Sequence, residues 1–328
     1  MSGGPDFSAP RWLPGGHLQT IWPALVGRRQ LAGRVKFRRE RWDTPDGDFV
    51  DLDFALPATA ADPRAPLLAL FHGLEGSTAS HYALSFALEA RRRGWVFVMP
   101  HFRGCSGELN RAPRAYHSGD HAEVGWFLAG LAARHGGPVL AAGVSLGGNA
   151  LMRWAGEVEG DAARVARAVV SICAPLDLSA SGQAMGQGFN RWVYTRRFLA
   201  TMKPKALAKW QQYPGLFHRE RLAAARTLYD FDNVFTAPLH GFRDADDYWA
   251  RASAKPHLRR VCIPALALNA RNDPFVPPSS LPRTAEVAPS IELWRPAHGG
   301  HVGFPQGRFP GHVQGLPAAV CDWLAQQS

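Results

Sequence analysis

One pentapeptide in this chain has the residue types and spacing of a nucleophile. Gly143-Val144-Ser145-Leu146-Gly147 matches G-x-S-x-G, follows the apolar run Val139–Ala142 and leads into a helix-like segment. That order of strand, tight turn and helix is the context that exposes a serine hydroxyl for acyl transfer. The turn forces strained backbone at Ser145, so the flanking positions have room only for glycine. Gly148 lets the following helix begin close to the strand, and its N-terminus turns unpaired N–H groups and the positive dipole end towards a reacting oxygen.

A serine nucleophile needs a base, and the base needs an orienting acid. On this scaffold the acid and then the histidine follow the serine, each on a loop after a later strand. Pro264–Leu268 runs into Asn269-Ala270-Arg271-Asn272-Asp273-Pro274, which puts Asp273 just past a strand end. Its rival is Asp177, after Ala168–Cys173, one strand earlier. Ile291–Trp294 leads into His298-Gly299-Gly300-His301, where two histidines compete. The Gly-Gly pair gives a bend that presents His301, leaving His298 to pack beside it or bond locally. The two histidines could be taken for a metal pair, but no third ligand follows at a useful spacing. His117-x-x-Asp120-His121 reads as a helix start. Oxyanion stabilisation requires two backbone N–H donors, one after the nucleophile and one from a Gly-rich loop. Leu146 and Leu74, the latter in His72-Gly73-Leu74-Glu75-Gly76, are the candidates; Glu75 is a substrate contact or a solvated loop carboxylate.

The elements that must position these residues follow from apolar runs at Leu67–Phe71, Trp95–Met99, Val139–Val144, Ala168–Cys173, Ala265–Leu268 and Ile291–Trp294. Each is short and apolar on both faces rather than alternating, as strands covered on both sides should be. Helical segments at Ser77–Arg93, Gly119–Arg134 and Gly147–Glu157 separate the earlier runs, which predicts a doubly wound α/β sheet. Val35–Phe54, with its Asp46-Gly47 turn, reads as an edge hairpin. The rhythm breaks between Leu178 and Pro256, where Phe189–Phe198, Pro204–Gln212 and Arg219–Leu228 read as helices of a cap that shapes access and excludes water. The expected organisation is an N-terminal segment (1–34) packing on a core (35–177 and 257–328), with the helical cap inserted at 178–256.

Composition bounds the rest. The 328 residues are 46% apolar, which excludes a disordered or fibrous chain. Five of the 37 basic residues are lysine and the other 32 arginine, scattered in twos and threes despite a net charge of +10. Without a basic block, nucleic-acid binding is not expected. Cys105, Cys173, Cys262 and Cys321 have no paired or metal-binding spacing, and Cys173 and Cys262 read as small buried hydrophobes. Met1–Asp6 carries no signal-peptide pattern and no apolar run is long enough to span a bilayer, so a cytoplasmic protein is expected.

Several ordered segments together resemble the YheT-like branch of the α/β-hydrolases (AB-hydrolase family 4). They are Trp12–Thr20, His72–Gly76, Arg103–Gly107, Tyr116–Gly119, Gly143–Asn149, Phe235–Phe242 and Gly299–Phe304. The resemblance spans nearly the whole chain. It implies an α/β-hydrolase fold, a mostly parallel twisted sheet with helices on both faces, and a Ser–Asp–His triad on Ser145, Asp273 and His301. It also implies activity on short- to medium-chain esters or acylglycerol-like lipids without cofactor or metal; relatives acting on lipids carry a membrane anchor. Thioester hydrolysis and a catalytically silent binding module are the alternatives. His17-Leu18-Gln19-Thr20 either lines the pocket or covers the core. The stretch Phe189–Lys203 either packs its apolar side over the site, the preferred reading, or presents a basic amphipathic face for peripheral contact with anionic lipid.

Overall fold

The computed structural model describes residues 4–5, 7–57 and 62–327; the expected lack of a leader at Met1–Asp6 falls mostly outside them. An eight-stranded sheet forms the centre, in the order β1-β2-β4-β3-β5-β6-β7-β8. The strands are β1 (Phe37–Asp43), β2 (Phe49–Ala55), β3 (Leu67–Phe71), β4 (Val96–Pro100), β5 (Val139–Val144), β6 (Ala168–Ile172), β7 (Ala265–Leu268) and β8 (Ile291–Trp294). β1 and β2 form the antiparallel hairpin, closed by a turn in which Gly47 takes φ +77°, and β2 joins β4 antiparallel. The remaining pairs are parallel.

Alternate residues of the central strands feed two separate cores. Leu67, Ala69 and Phe71 enter one with Val139 and Ala141; Leu68 and Leu70 enter the other with Leu140 and Ala142. Helices therefore cover both faces, which is why these strands carry no polar alternation. The helix His81–Arg92 begins four residues later than Ser77 because Ser77–Ser80 closes as a turn, the Ser80 N–H donating to the Ser77 carbonyl.

Between β6 and β7 the described chain holds helices and turns and no strand, including Leu178–Met185, Arg196–Gln212, Arg219–Ala224 and Ala245–Ala252. The helix Arg196–Gln212 runs through Pro204, which the sequence suggests as a helix start. An internal proline forfeits a backbone hydrogen bond at about 3 kcal/mol. Packing of Leu199 and Ala206 against Phe217, Leu222, Phe231 and Phe235 offsets it. Cys262 departs from expectation as well. Val261 and Ile263 turn inwards on either side, and the Cys262 side chain faces solvent.

Candidate active site

Ser145 links β5 to the helix Leu146–Val158 at φ +53° and ψ −117°. A non-glycine residue there costs on the order of 1–3 kcal/mol, which the surroundings must supply. They do so by close packing. A Cβ on Gly143 would lie 2.4 Å from the Gly147 carbonyl oxygen, and one on Gly147 would lie 2.6 Å from that of His72. The elbow glycines are thus required by the approach of three backbone segments. The Ser145 N–H is held by the Ile172 carbonyl at 2.8 Å.

The loops after β7 and β8 converge on this serine. His301 Nε2 lies 3.0 Å from Ser145 Oγ, and His301 Nδ1 lies 2.8 Å from Asp273 Oδ2. Asp273 is buried, and its Oδ1 accepts the N–H groups of Phe275 (2.7 Å) and Val276 (3.3 Å). The imidazole stacks on the Phe275 ring, centroids 4.1 Å apart. Asp177 is elsewhere and caps the helix Leu178–Met185, its carboxylate accepting the Ala180 N–H at 3.1 Å. His298 is exposed rather than packed beside His301. Asp120 and His121 start the helix His121–Arg134, while His117 lines the cavity described below.

His72–Gly76 abuts the elbow, since a Cβ on Gly73 would sit 3.1 Å from the Ser145 Cβ. Burial lowers the His72 pKa to about 3, so the ring is neutral. Its Nδ1–H donates to the Gly73 carbonyl and its Nε2 accepts the Phe102 N–H, which fixes the start of the loop. Among the described residues neither the Leu74 nor the Leu146 N–H has a hydrogen-bond acceptor. Glu75 is a solvated carboxylate no more than it is a free one. It accepts from Tyr116 Oη at 2.9 Å and pairs with Lys205 Nζ at 2.9 Å, tying the loop to the helix Arg196–Gln212.

Sequence reasoning did not find the brace behind His301. The Thr20 hydroxyl donates to the Gly16 carbonyl (2.7 Å) and accepts the His301 N–H (2.8 Å). Gln19 Oε1 accepts the Gly299 N–H and the Asn272 side-chain amide, both at 2.9 Å, while its Nε2 donates to the Leu13 carbonyl. The Asn272 oxygen takes the Gly300 N–H. The contact is so close that a Cβ on Gly303 would lie 1.8 Å from the Gln19 carbonyl. His17 bonds the Tyr194 hydroxyl at 3.1 Å instead. The motif His17–Thr20 therefore joins the loops of Asp273 and His301 to the segment between β6 and β7. Its polar residues were the available signal, but their partners lie as far as 281 residues away.

Cys173 lies behind the pair, its sulfur within 4.8 Å of ligand atoms of Asp273 and His301. Burial holds its thiol well above the usual range. Metal binding needs a thiolate, and the other two groups already engage each other, so this cluster does not fit a metal.

Two cavities meet at Ser145 and His301. The inner one, about 160 Å³, is lined by Leu178, Met185, Met202, Phe231 and Phe235, with Glu75 and Lys205 at one side. The outer one, about 420 Å³, opens between Ile21, Leu25, Val193 and Arg197.

A family model described as the alpha/beta hydrolase fold matches residues 66–307. The Escherichia coli (strain K12) protein YheT, which carries an esterase name, is 40% identical over 99% of this chain and 94% of its own. A Mus musculus protein named phospholipase ABHD3 is 29% identical over 84% of this chain and 68% of its own. The solved Pyrococcus furiosus esterase Pf2001 shares the fold, with a TM-score of 0.56 at 15% identity over 91% of this chain and 95% of that one. With its nearly full-length match to YheT, the chain belongs to the α/β-hydrolase family, in the YheT-like esterase branch.

Proposed function

We propose that the protein is a serine hydrolase of carboxylic esters working through Ser145, His301 and Asp273. The observation that carries this reading is the unbroken series of contacts from Asp273 Oδ2 through the imidazole to Ser145 Oγ, at 2.8 and 3.0 Å. Asp273 accepts the Nδ1–H, which leaves Nε2 unprotonated and facing the hydroxyl. As Ser145 Oγ attacks the carbonyl carbon, Nε2 takes its proton, and Asp273 stabilises the imidazolium. The Leu74 and Leu146 N–H groups receive the oxyanion; each such donor is worth about 10²–10³ in turnover. The imidazolium then protonates the departing alcohol. Water, deprotonated by His301, attacks the acyl-enzyme and releases the acid.

Residues 178–256 act as a cap in this scheme, and the inner cavity beneath them takes the acyl chain. Its apolar walls suit short- to medium-chain acyl groups or those of lipid-like esters, in keeping with the phospholipase name of the mouse relative. All four cysteines are unpaired, which suits a reducing compartment such as the cytoplasm. No helix among the described residues is long and apolar enough to cross a membrane.

The test is hydrolysis of p-nitrophenyl acetate, butyrate, octanoate and palmitate by the wild type and Ser145→Ala. Loss of the nucleophile should lower turnover about 10⁶-fold. Equal rates in the two proteins would refute the assignment.

A further inference from the structure

The outer cavity opens inside a collar of apolar side chains and arginines, and its charge is segregated at the level of sequence. No aspartate or glutamate occurs in residues 7–39 or 178–219, although the chain carries 27 acidic residues. These two segments meet at the mouth. His17 contacts Phe189 with ring centroids 4.4 Å apart, and Leu25 and Arg28 from one segment face Val193 and Arg197 from the other across the opening.

Apolar side chains that would normally be covered stand out here. Among the described residues, six of the ten large hydrophobics that are exposed lie on these two segments, and Leu25 and Val193 line the outer cavity itself. Leu18, Leu25 and Val26 lie on the N-terminal helical segment. Phe189, Trp192 and Val193 lie on the other, with Trp192 69% exposed. The preference for a cap stretch packing its apolar side inwards fails for these three residues. Tyr194 and Phe198 do turn in, onto Phe275. An exposed apolar patch of this extent marks an interaction surface. Arg28, Arg29, Arg191, Arg196 and Arg197 lie on the same two segments, Arg28 and Arg197 at the cavity, all exposed and none in an ion pair among the described residues.

We propose that this collar docks on the surface of an anionic lipid assembly, with the outer cavity facing the lipid. Apolar side chains backed by arginines, on two segments with no acidic residue, match an interface of acyl chains beneath negative headgroups. A second protein surface would have to meet five uncompensated cations with carboxylates arranged around an apolar centre. The lipid surface supplies both features without specific shape. Docking would bring an ester that partitions into lipid to Ser145 without crossing water.

The experiment is sedimentation with vesicles of phosphatidylcholine, alone or mixed with phosphatidylglycerol, at low and high salt. It uses the wild type, Trp192→Ala, the triple variant Arg29→Gln/Arg191→Gln/Arg196→Gln, and Ser145→Ala. None of the first four substituted positions lines either cavity, so hydrolysis of p-nitrophenyl butyrate should stay at the wild-type rate. We expect binding only to the mixed vesicles, weakened by salt. With each arginine worth about fivefold in partition, the triple variant should bind on the order of a hundredfold more weakly. Trp192→Ala should weaken binding, and Ser145→Ala should bind as the wild type does, so docking is read independently of catalysis. Failure to bind mixed vesicles at low salt would overturn the proposal, as would equal binding to neutral vesicles. A wild-type dimer that Trp192→Ala disperses would also overturn it, by assigning the collar to a second copy of the chain.

Discussion

Thr20 offers a way to separate holding the proposed base, His301, from holding the fold. Its hydroxyl sits between two backbone groups, donating to the Gly16 carbonyl and accepting the His301 N–H. Thr20→Val keeps the side-chain shape and removes both bonds. A buried polar group left unpaired costs about 1–3 kcal/mol. The Gly16 carbonyl belongs to the N-terminal helix, so its loss is felt as stability; at about 2–4 °C per kcal/mol for a chain of this size class, melting should fall by several degrees. The His301 N–H is different, because the residue it restrains carries the imidazole. Asp273 fixes the ring at one end, but the backbone bond fixes the Cα from which the ring extends. A shift of about 1 Å in a catalytic group can cost on the order of a hundredfold.

The expectation is therefore a 10- to 100-fold lower kcat for p-nitrophenyl butyrate, with KM little changed because valine keeps the shape of Thr20 in the wall of the outer cavity. Thr20→Ser, which retains the hydroxyl, should recover most of the rate. Measuring kcat, KM and melting temperature for all three proteins separates the two roles. A Thr20→Val enzyme with wild-type kcat and a lowered melting temperature would show that Asp273 alone places the imidazole, and the brace would then be structural only.

Further outcomes follow from the same geometry. Asp273→Asn should leave the fold intact and lower kcat about 10⁴-fold, since an amide donor would favour the tautomer that turns a proton towards Ser145; a loss below tenfold would move the orienting role elsewhere. Ser181, buried against the inner cavity with its hydroxyl unpaired, tests the acyl site. Ser181→Phe should keep acetate hydrolysis while octanoate hydrolysis falls at least tenfold, and an unchanged chain-length profile would place the acyl group in the outer cavity. His81 is buried, its Nε2–H donating to the Val302 carbonyl, and burial lowers its pKa to about 4. Because the unfolded chain takes up this proton near pH 6.5 and the native chain does not, its contribution to stability is undiminished above that value and declines as the pH falls towards 4. Relative to His81→Gln, the wild type should lose about 2 kcal/mol of unfolding free energy between pH 7 and pH 5, read by urea titration. A gap that does not change with pH would mean that the native state protonates His81 as readily as the unfolded chain.

What could be read in the sequence, and what could not, divides along the range of the interactions. The strands were legible because burial on both faces removes every polar residue from Leu67–Phe71 or Val139–Val144, a property of the segment itself. The elbow was legible for the same reason, since strand, serine, glycines and helix are contiguous. Local pattern favoured Asp273, in a polar turn ending at Pro274, over Asp177, and His301, after the Gly299-Gly300 bend, over His298. Asp177 is distinguished by its use as a helix cap, and His298 by exposure. Cys262 and Pro204 were misjudged because orientation and tertiary packing override local composition. The brace was beyond reach in a stronger sense. Gln19 and Thr20 are ordinary residues on a short helix, and only contact with the loop after β8 gives them a role. His301, the base of the proposed mechanism, is held from both ends of the chain, so changes at residues 13–20 should register in turnover as well as in stability.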